Sequence, residues 1–69
     1  MLLLLCDPAY TDRLAAFLQS LGQAASASGS DRVELEGVLD EESARAEMEI
    51  YLRVWNVLYP EAHVEVTIA

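Results

Sequence analysis

Four titratable side chains are the residues of this chain whose types and spacing could do chemistry. Glu34 and Glu36 are two residues apart, and so are His63 and Glu65. Residues two apart in a β-strand point to the same side of a sheet. A histidine among carboxylates can act as a general acid or base, or can bind a divalent metal. Because the spacing is specific to neither role, we predict a solvated acidic sheet face with no catalytic residue, metal or cofactor assigned.

The period of the hydrophobic residues predicts the elements that position these groups, in the order strand, helix, strand, strand, helix, strand. Asp7 and Asp40 are expected to cap the two helices, and Gly22 is expected to end the first. The predicted strands are Leu2–Cys6, Gln23–Ser28, Arg32–Leu39 and His63–Ala69, and the predicted helices run from Pro8 to Leu21 and from Glu41 to Tyr59.

This order, with short connections, predicts one α+β domain over residues 1–69 with a ferredoxin-like split βαβ (βαββαβ) fold. The sheet is expected to be four-stranded and antiparallel in the order 4-1-3-2, with both helices on one face. Leu2–Cys6 is apolar on both faces, which suits a central strand, whereas the small residues of Gln23–Ser28 suit an edge. The core stripe of the second helix is expected to contain Ala44, Met48, Tyr51, Leu52, Trp55, Leu58 and Tyr59.

The predicted layout resembles the broad ferredoxin-like group, which includes ACT regulatory domains, metallochaperone domains, RNA-recognition domains and dimeric α/β-barrel enzymes. The resemblance covers the whole chain and concerns topology. Cys6-Asp7-Pro8-Ala9 has one thiol where a metallochaperone has a Cys-x-x-Cys pair. The open sheet face has glutamates where an RNA-recognition domain has aromatic and basic residues. Asp7-Pro8 stands where an ACT-like domain usually places a glycine, so the fold analogy implies no function.

Composition limits the classes of partner. At 69 residues, a single core rarely supplies more than about 3–5 kcal/mol without a disulfide, a metal or a partner subunit. Cys6 is the only cysteine, so an internal disulfide is excluded and a homo-oligomer is expected. A net charge of −8 argues against nucleic acid and anionic membrane surfaces as partners. No segment reaches the length of a membrane-spanning helix, and we expect a cytoplasmic protein.

Two surfaces could join copies of the chain. Leu3 and Leu5 are expected on the sheet face that the helices leave open, where they form either a dimer contact or scattered surface hydrophobes. Ile50, Val54 and Val57 extend the apolar arc of the second helix beyond its core stripe. This flank either meets the first helix or forms a dimer surface.

These observations predict a small noncatalytic binding or regulatory module that acts as a homodimer or as the acidic partner of another protein. The alternative is a small enzyme of the dimeric α/β-barrel kind, with a cleft that carries His63. A protein partner or a small ligand fits the first prediction. The position of any cleft distinguishes the two, since an enzyme needs His63 beside apolar walls.

Overall fold

The computed structural model describes residues 2–68 of the chain and has the predicted α+β class. The antiparallel sheet has the order β2-β3-β1-β4, which is the predicted order 4-1-3-2 read from the opposite edge. The ferredoxin-like layout is therefore confirmed. Its elements are β1 (Leu2–Cys6), α1 (Thr11–Ser20), β2 (Ala25–Gly29), β3 (Arg32–Leu35), α2 (Glu41–Leu58) and β4 (Val64–Ile68).

The core lies between the helices and one face of the sheet. In the central strand β1, Leu2 and Leu4 are fully buried, whereas Leu3 and Leu5 point to the other face and are half-buried. Helix α1 packs over β2 and β3, and α2 packs over β1 and β4. The largest fully buried side chains of this core are Trp55, Leu2, Leu4, Leu14, Leu18, Met48 and Val33.

Helix α2 begins at Glu41 as predicted and ends at Leu58, one residue before the predicted end. The Asp40 carboxylate accepts hydrogen bonds from the backbone N–H groups of Glu42 and Ser43, which satisfies donors that have no partner inside the helix. Trp55 is fully buried, and its Nε1 donates to the Ala62 carbonyl at 3.1 Å. This bond ties the helix to the loop that leads into β4.

The predicted start of the first helix is wrong. The Asp7 carboxylate accepts a hydrogen bond from the Ala9 N–H, and the Asp7 carbonyl accepts one from Tyr10, so the Asp-Pro pair forms a turn before the helix. Helix α1 begins at Thr11, whose hydroxyl donates to the Ser30 carbonyl at 2.7 Å. The expected end is confirmed, since Gly22 follows the helix with a φ of 84°.

Other boundaries also differ from the prediction. Strand β3 ends at Leu35 because Gly37 has a φ of 70°, which breaks the extended backbone and leaves Leu39 fully exposed. Leu58 is exposed rather than part of the core stripe, because it lies one helical turn after Val54 on the outward side. Strands β2 and β4 are shorter than predicted, and Ala69 lies outside the described residues.

Candidate interaction surfaces

An apolar stripe runs along the outward side of α2, opposite the core. Its exposed fractions are 58% for Ile50, 52% for Val54, 81% for Val57 and 57% for Leu58. These residues are three or four apart, so they form one continuous surface on the helix. The inward side of the same helix supplies Met48 to the core. Helix α2 is therefore apolar on two opposite sides, and we call Ile50, Val54, Val57 and Leu58 the outer stripe.

The outer stripe does not meet the first helix. Helix α1 lies over β2 and β3, on the other half of the sheet from α2. Ile50, Val54 and Val57 stay more than half exposed within the described part of the chain, so α1 does not cover them. An uncovered apolar surface of this kind marks an interaction site in many soluble proteins.

Charged residues lie on both sides of the outer stripe. On the side towards α1, the Glu47 carboxylate accepts hydrogen bonds from the Tyr51 hydroxyl at 2.7 Å and from the Gln23 amide at 3.1 Å. The first of these bonds raises the pKa of Tyr51. On the side towards β4, Glu49 lies 4.0 Å from Arg45. The side of α2 that faces the edge of the sheet is therefore polar.

The open sheet face offers a smaller apolar surface. Leu3 lies between Glu34 and Thr67 on the neighbouring strands. Leu5 lies between Arg32 and Glu65 in the same way. Both leucines are half-buried, so polar neighbours partly cover them where they lie. Their role as a dimer contact remains a prediction.

Strand pairing separates the two carboxylates that lie within the sheet. Glu34 pairs with Leu3, and Glu65 pairs with Leu5, so β1 runs between the two glutamates on the open face. Strands two apart are roughly 10 Å apart, which places these carboxylates on separate parts of the face.

The other two titratable candidates lie at opposite ends of the sheet. His63 is exposed and comes directly before Val64, which pairs with Cys6 at one end. Glu36 is exposed and follows Leu35 at the other end, where β1 begins. Among residues 2–68, no three His, Cys, Asp or Glu side chains lie close enough to hold a metal ion. The four candidates do not form one site.

A groove lies between α2 and the edge strand β4. Its volume is about 470 Å³, and Val64 and Val66 form its strand side. His63, although it belongs to the described residues, does not line this groove. The residues on its helix side are Arg45, Glu49, Leu52, Arg53 and Asn56. Four of these residues are polar and three or four apart along the helix, which the sequence shows, but the sequence does not show that they overlook an open sheet edge.

A ring cluster connects α1 to the end of α2. Tyr10 packs edge-on against Trp55 at 6.5 Å between ring centroids, and its hydroxyl donates to the Glu61 carboxylate. This bond lowers the pKa of Glu61 and raises the pKa of Tyr10. The Arg13 guanidinium lies 5.5 Å from the centroid of the Tyr10 ring. These contacts fix the loop before β4, and the residues are too far apart in the sequence for a motif to predict them.

Cys6 is buried, with its Sγ 3.3 Å from the Thr11 hydroxyl, and it packs with the core residues.

Within residues 2–68, no helix is long and apolar enough to cross a membrane. Comparison of the chain with protein-family models, with curated proteins and with solved structures finds no match.

Proposed function

We propose that this chain is a noncatalytic protein-binding module whose outer stripe binds an amphipathic helix of a basic partner. The observation that supports this proposal is the exposure of four apolar side chains in one row on α2, with Val57 81% exposed. A helix can lay its own apolar side along such a row, with anchor residues three and four apart. In this proposal the outer stripe is the contact surface, and the sheet is the scaffold that holds it.

The charge of the chain indicates the chemistry of the partner. Glu47 and Glu49 lie on opposite sides of Ile50, so acidic side chains border the stripe at its N-terminal end. The net charge of −8 adds a long-range attraction for cations. Arginine or lysine residues beside the apolar side of a partner helix would meet these glutamates. An acidic partner would meet repulsion at the same positions.

A pair of designed peptides tests this proposal. One is an amphipathic helix with a leucine stripe bordered by lysines, and the other has the same leucines bordered by glutamates. Titration calorimetry is expected to show binding of the lysine peptide, with an affinity that falls as salt increases. The glutamate peptide is expected to bind at least about tenfold more weakly. Equal binding of the two peptides, or binding of neither, would contradict the proposal.

A matched pair of variants locates the contact. Val54→Glu places a charge within the outer stripe, and Leu39→Glu places one at a fully exposed leucine outside it. Both side chains lie on the surface, so neither change disturbs the core. The Val54 variant is expected to lose binding of the lysine peptide, and the Leu39 variant is expected to keep it. Retention of binding by the Val54 variant, or equal loss in both variants, would mean that the outer stripe is not the contact surface.

A further inference from the structure

The outer edge of the sheet at β4 carries unpaired backbone groups. The Cys6 N–H donates to the Asp31 carbonyl on the β3 side. Because the backbone N–H and C=O groups of successive residues in a strand point to opposite sides, those of Leu3 and Leu5 face β4. These two residues pair with Thr67 and Glu65, whose backbone groups must then face β1. The N–H and C=O groups directed away from the sheet are consequently those of Val64, Val66 and Ile68.

This edge lacks the proline, lysine and bulge that protect many edge strands from pairing, and Glu65 is its only charged residue. Strand β4 has the sequence Val-Glu-Val-Thr-Ile, with no proline, no lysine and no break in its register with β1. Edge strands are usually protected by such residues or by bulges. The opposite edge, β2, is made of Ala, Ser and Gly, and its register shifts between Ala27 and Gly29. Strand β4 is therefore the edge that can accept another strand.

The side chains of β4 allow this strand to pair with β4 of a second copy in one particular register. In an antiparallel pair centred on Val66, that residue faces its own copy, and Val64 faces Ile68 of the second copy. The outward groups of these residues then form about six backbone hydrogen bonds. Glu65 lies opposite Thr67 of the second copy, which can donate to it. A pair centred on Glu65 would instead place two like charges face to face, which destabilises a sheet.

The helices fit the same arrangement. Helix α2 packs over both β1 and β4, so its axis lies about half a strand spacing inside β4. In the proposed strand pair, the two-fold axis lies half a strand spacing beyond β4. Each α2 axis is then one strand spacing from this two-fold axis. The two α2 axes are therefore about 10 Å apart, which is a normal distance for packed helices. Because β3 and β4 are parallel, the connecting α2 runs antiparallel to β4. The two copies of α2 are then antiparallel to each other.

The polar side of α2 is self-complementary in this pairing. Glu49 and Arg53 line the groove together with Val66, the centre of the strand pair. An antiparallel contact centred midway between these residues brings Arg53 to Glu49 of the second copy, twice by symmetry. Arg53 forms no ion pair with another residue in the described range 2–68, so it is available for this contact. In this arrangement, α2 of the second copy also fills part of the groove.

We propose that the chain forms a homodimer in which β4 pairs antiparallel with β4 of a second copy about Val66, making an eight-stranded sheet with α2 against α2. This interface differs from the open sheet face and from the outer stripe. It does not depend on the partner-binding proposal, since the outer stripes of both copies stay exposed, side by side on one surface of the dimer.

Sedimentation equilibrium of the full chain tests the dimer. At about 50 µM we expect a dimer mass, and Val66→Pro is expected to shift it to a monomer mass. Proline removes an N–H that faces the open edge, so it breaks the bond between copies without removing one to β1. Circular dichroism of the variant checks that it folds. A monomer mass for the wild type, or a dimer mass for folded Val66→Pro, would overturn the proposal.

A charge exchange keeps the test decisive if the proline variant does not fold. Arg53→Glu places like charges between the helices, and we expect it to weaken the dimer by about tenfold or more. The double variant Glu49→Arg with Arg53→Glu restores opposite charges and is expected to recover most of the wild-type affinity. Val54→Glu is expected to leave the mass unchanged, because the outer stripe lies outside this contact. Equal association of the single and double variants would contradict the proposed pairing of α2.

Discussion

Replacement of Trp55 by phenylalanine is expected to lower the free energy of unfolding by more than the smaller ring alone explains. Trp55 is fully buried, and its Nε1 donates to the carbonyl of Ala62, which is also fully buried. Phenylalanine has no donor, so this carbonyl loses its partner at a cost of about 1–3 kcal/mol. The smaller ring adds about 1 kcal/mol for the cavity it leaves. We expect Trp55→Phe to lower the free energy of unfolding by about 2–4 kcal/mol.

The larger truncation is expected to exceed the stability of the domain. Trp55→Ala also removes ring contacts with Phe17 at 5.4 Å and Tyr59 at 4.5 Å between centroids. Such truncations cost about 3–5 kcal/mol, which equals the stability that a core of this size usually provides. We therefore expect Trp55→Phe to fold weakly and Trp55→Ala to be unfolded.

Urea unfolding followed by far-ultraviolet circular dichroism measures these losses, since Trp55 is the only tryptophan and its fluorescence disappears with the substitution. Tyr59→Phe is the matched control, because it keeps a ring against Trp55 and removes a hydroxyl without a hydrogen-bond partner in residues 2–68. This control is expected to change stability by less than about 0.5 kcal/mol. If Trp55→Phe were no less stable than the control, the hydrogen bond to Ala62 would not contribute as argued.

Three further changes probe local features, each measured by urea unfolding. Tyr10→Phe removes the hydrogen bond to Glu61. Because this bond lowers the pKa of Glu61, the bond stabilises the fold at neutral pH, and this stabilisation is lost as pH falls through the acidic range. We expect wild type and Tyr10→Phe to differ at pH 7 and to converge as the pH falls below the lowered pKa of Glu61, and an unchanged difference would contradict this. Gly22→Ala is expected to cost about 1 kcal/mol, because the φ of 84° strains any other residue although no atom blocks the added carbon. Asp40→Ala is expected to destabilise α2, and Asp40→Asn, which keeps an acceptor for Ser43, is expected to destabilise it less.

Helix α2 could be predicted from sequence because several signals agree. Asp40 provides a cap, the apolar stripe has a helical period, and Pro60 follows the end of the helix. The start of α1 could not, since Asp7-Pro8 fits both a helix cap and a turn, and the bond from Thr11 to Ser30 favours the turn. Long-range contacts decide such cases, and a local pattern does not contain them.

The surfaces proposed for interaction could be predicted only in part, for a similar reason. Ile50, Val54 and Val57 could be identified as an apolar extension of α2, but their exposure depends on where α1 packs. The predicted strand order placed β4 at an edge. Which of its backbone groups are free depends on pairing with β1, and the hydrogen bond from Cys6 to Asp31 is needed to determine it.

Cysteine cross-linking tests the pairing of β4 with its own copy most directly. In a Cys6→Ala background, a double variant with Glu65→Cys and Thr67→Cys places each new thiol opposite one of the second copy, at a Cα distance of about 4.5 Å. Disulfides form readily over this distance. Glu65→Cys alone leaves its thiols about 8 Å apart in the same register, too far for a disulfide. We predict a covalent dimer on a non-reducing denaturing gel after mild oxidation of the double variant, and no covalent dimer for the single variant. Absence of a covalent dimer in both, or equal cross-linking of both, would contradict the proposed dimer.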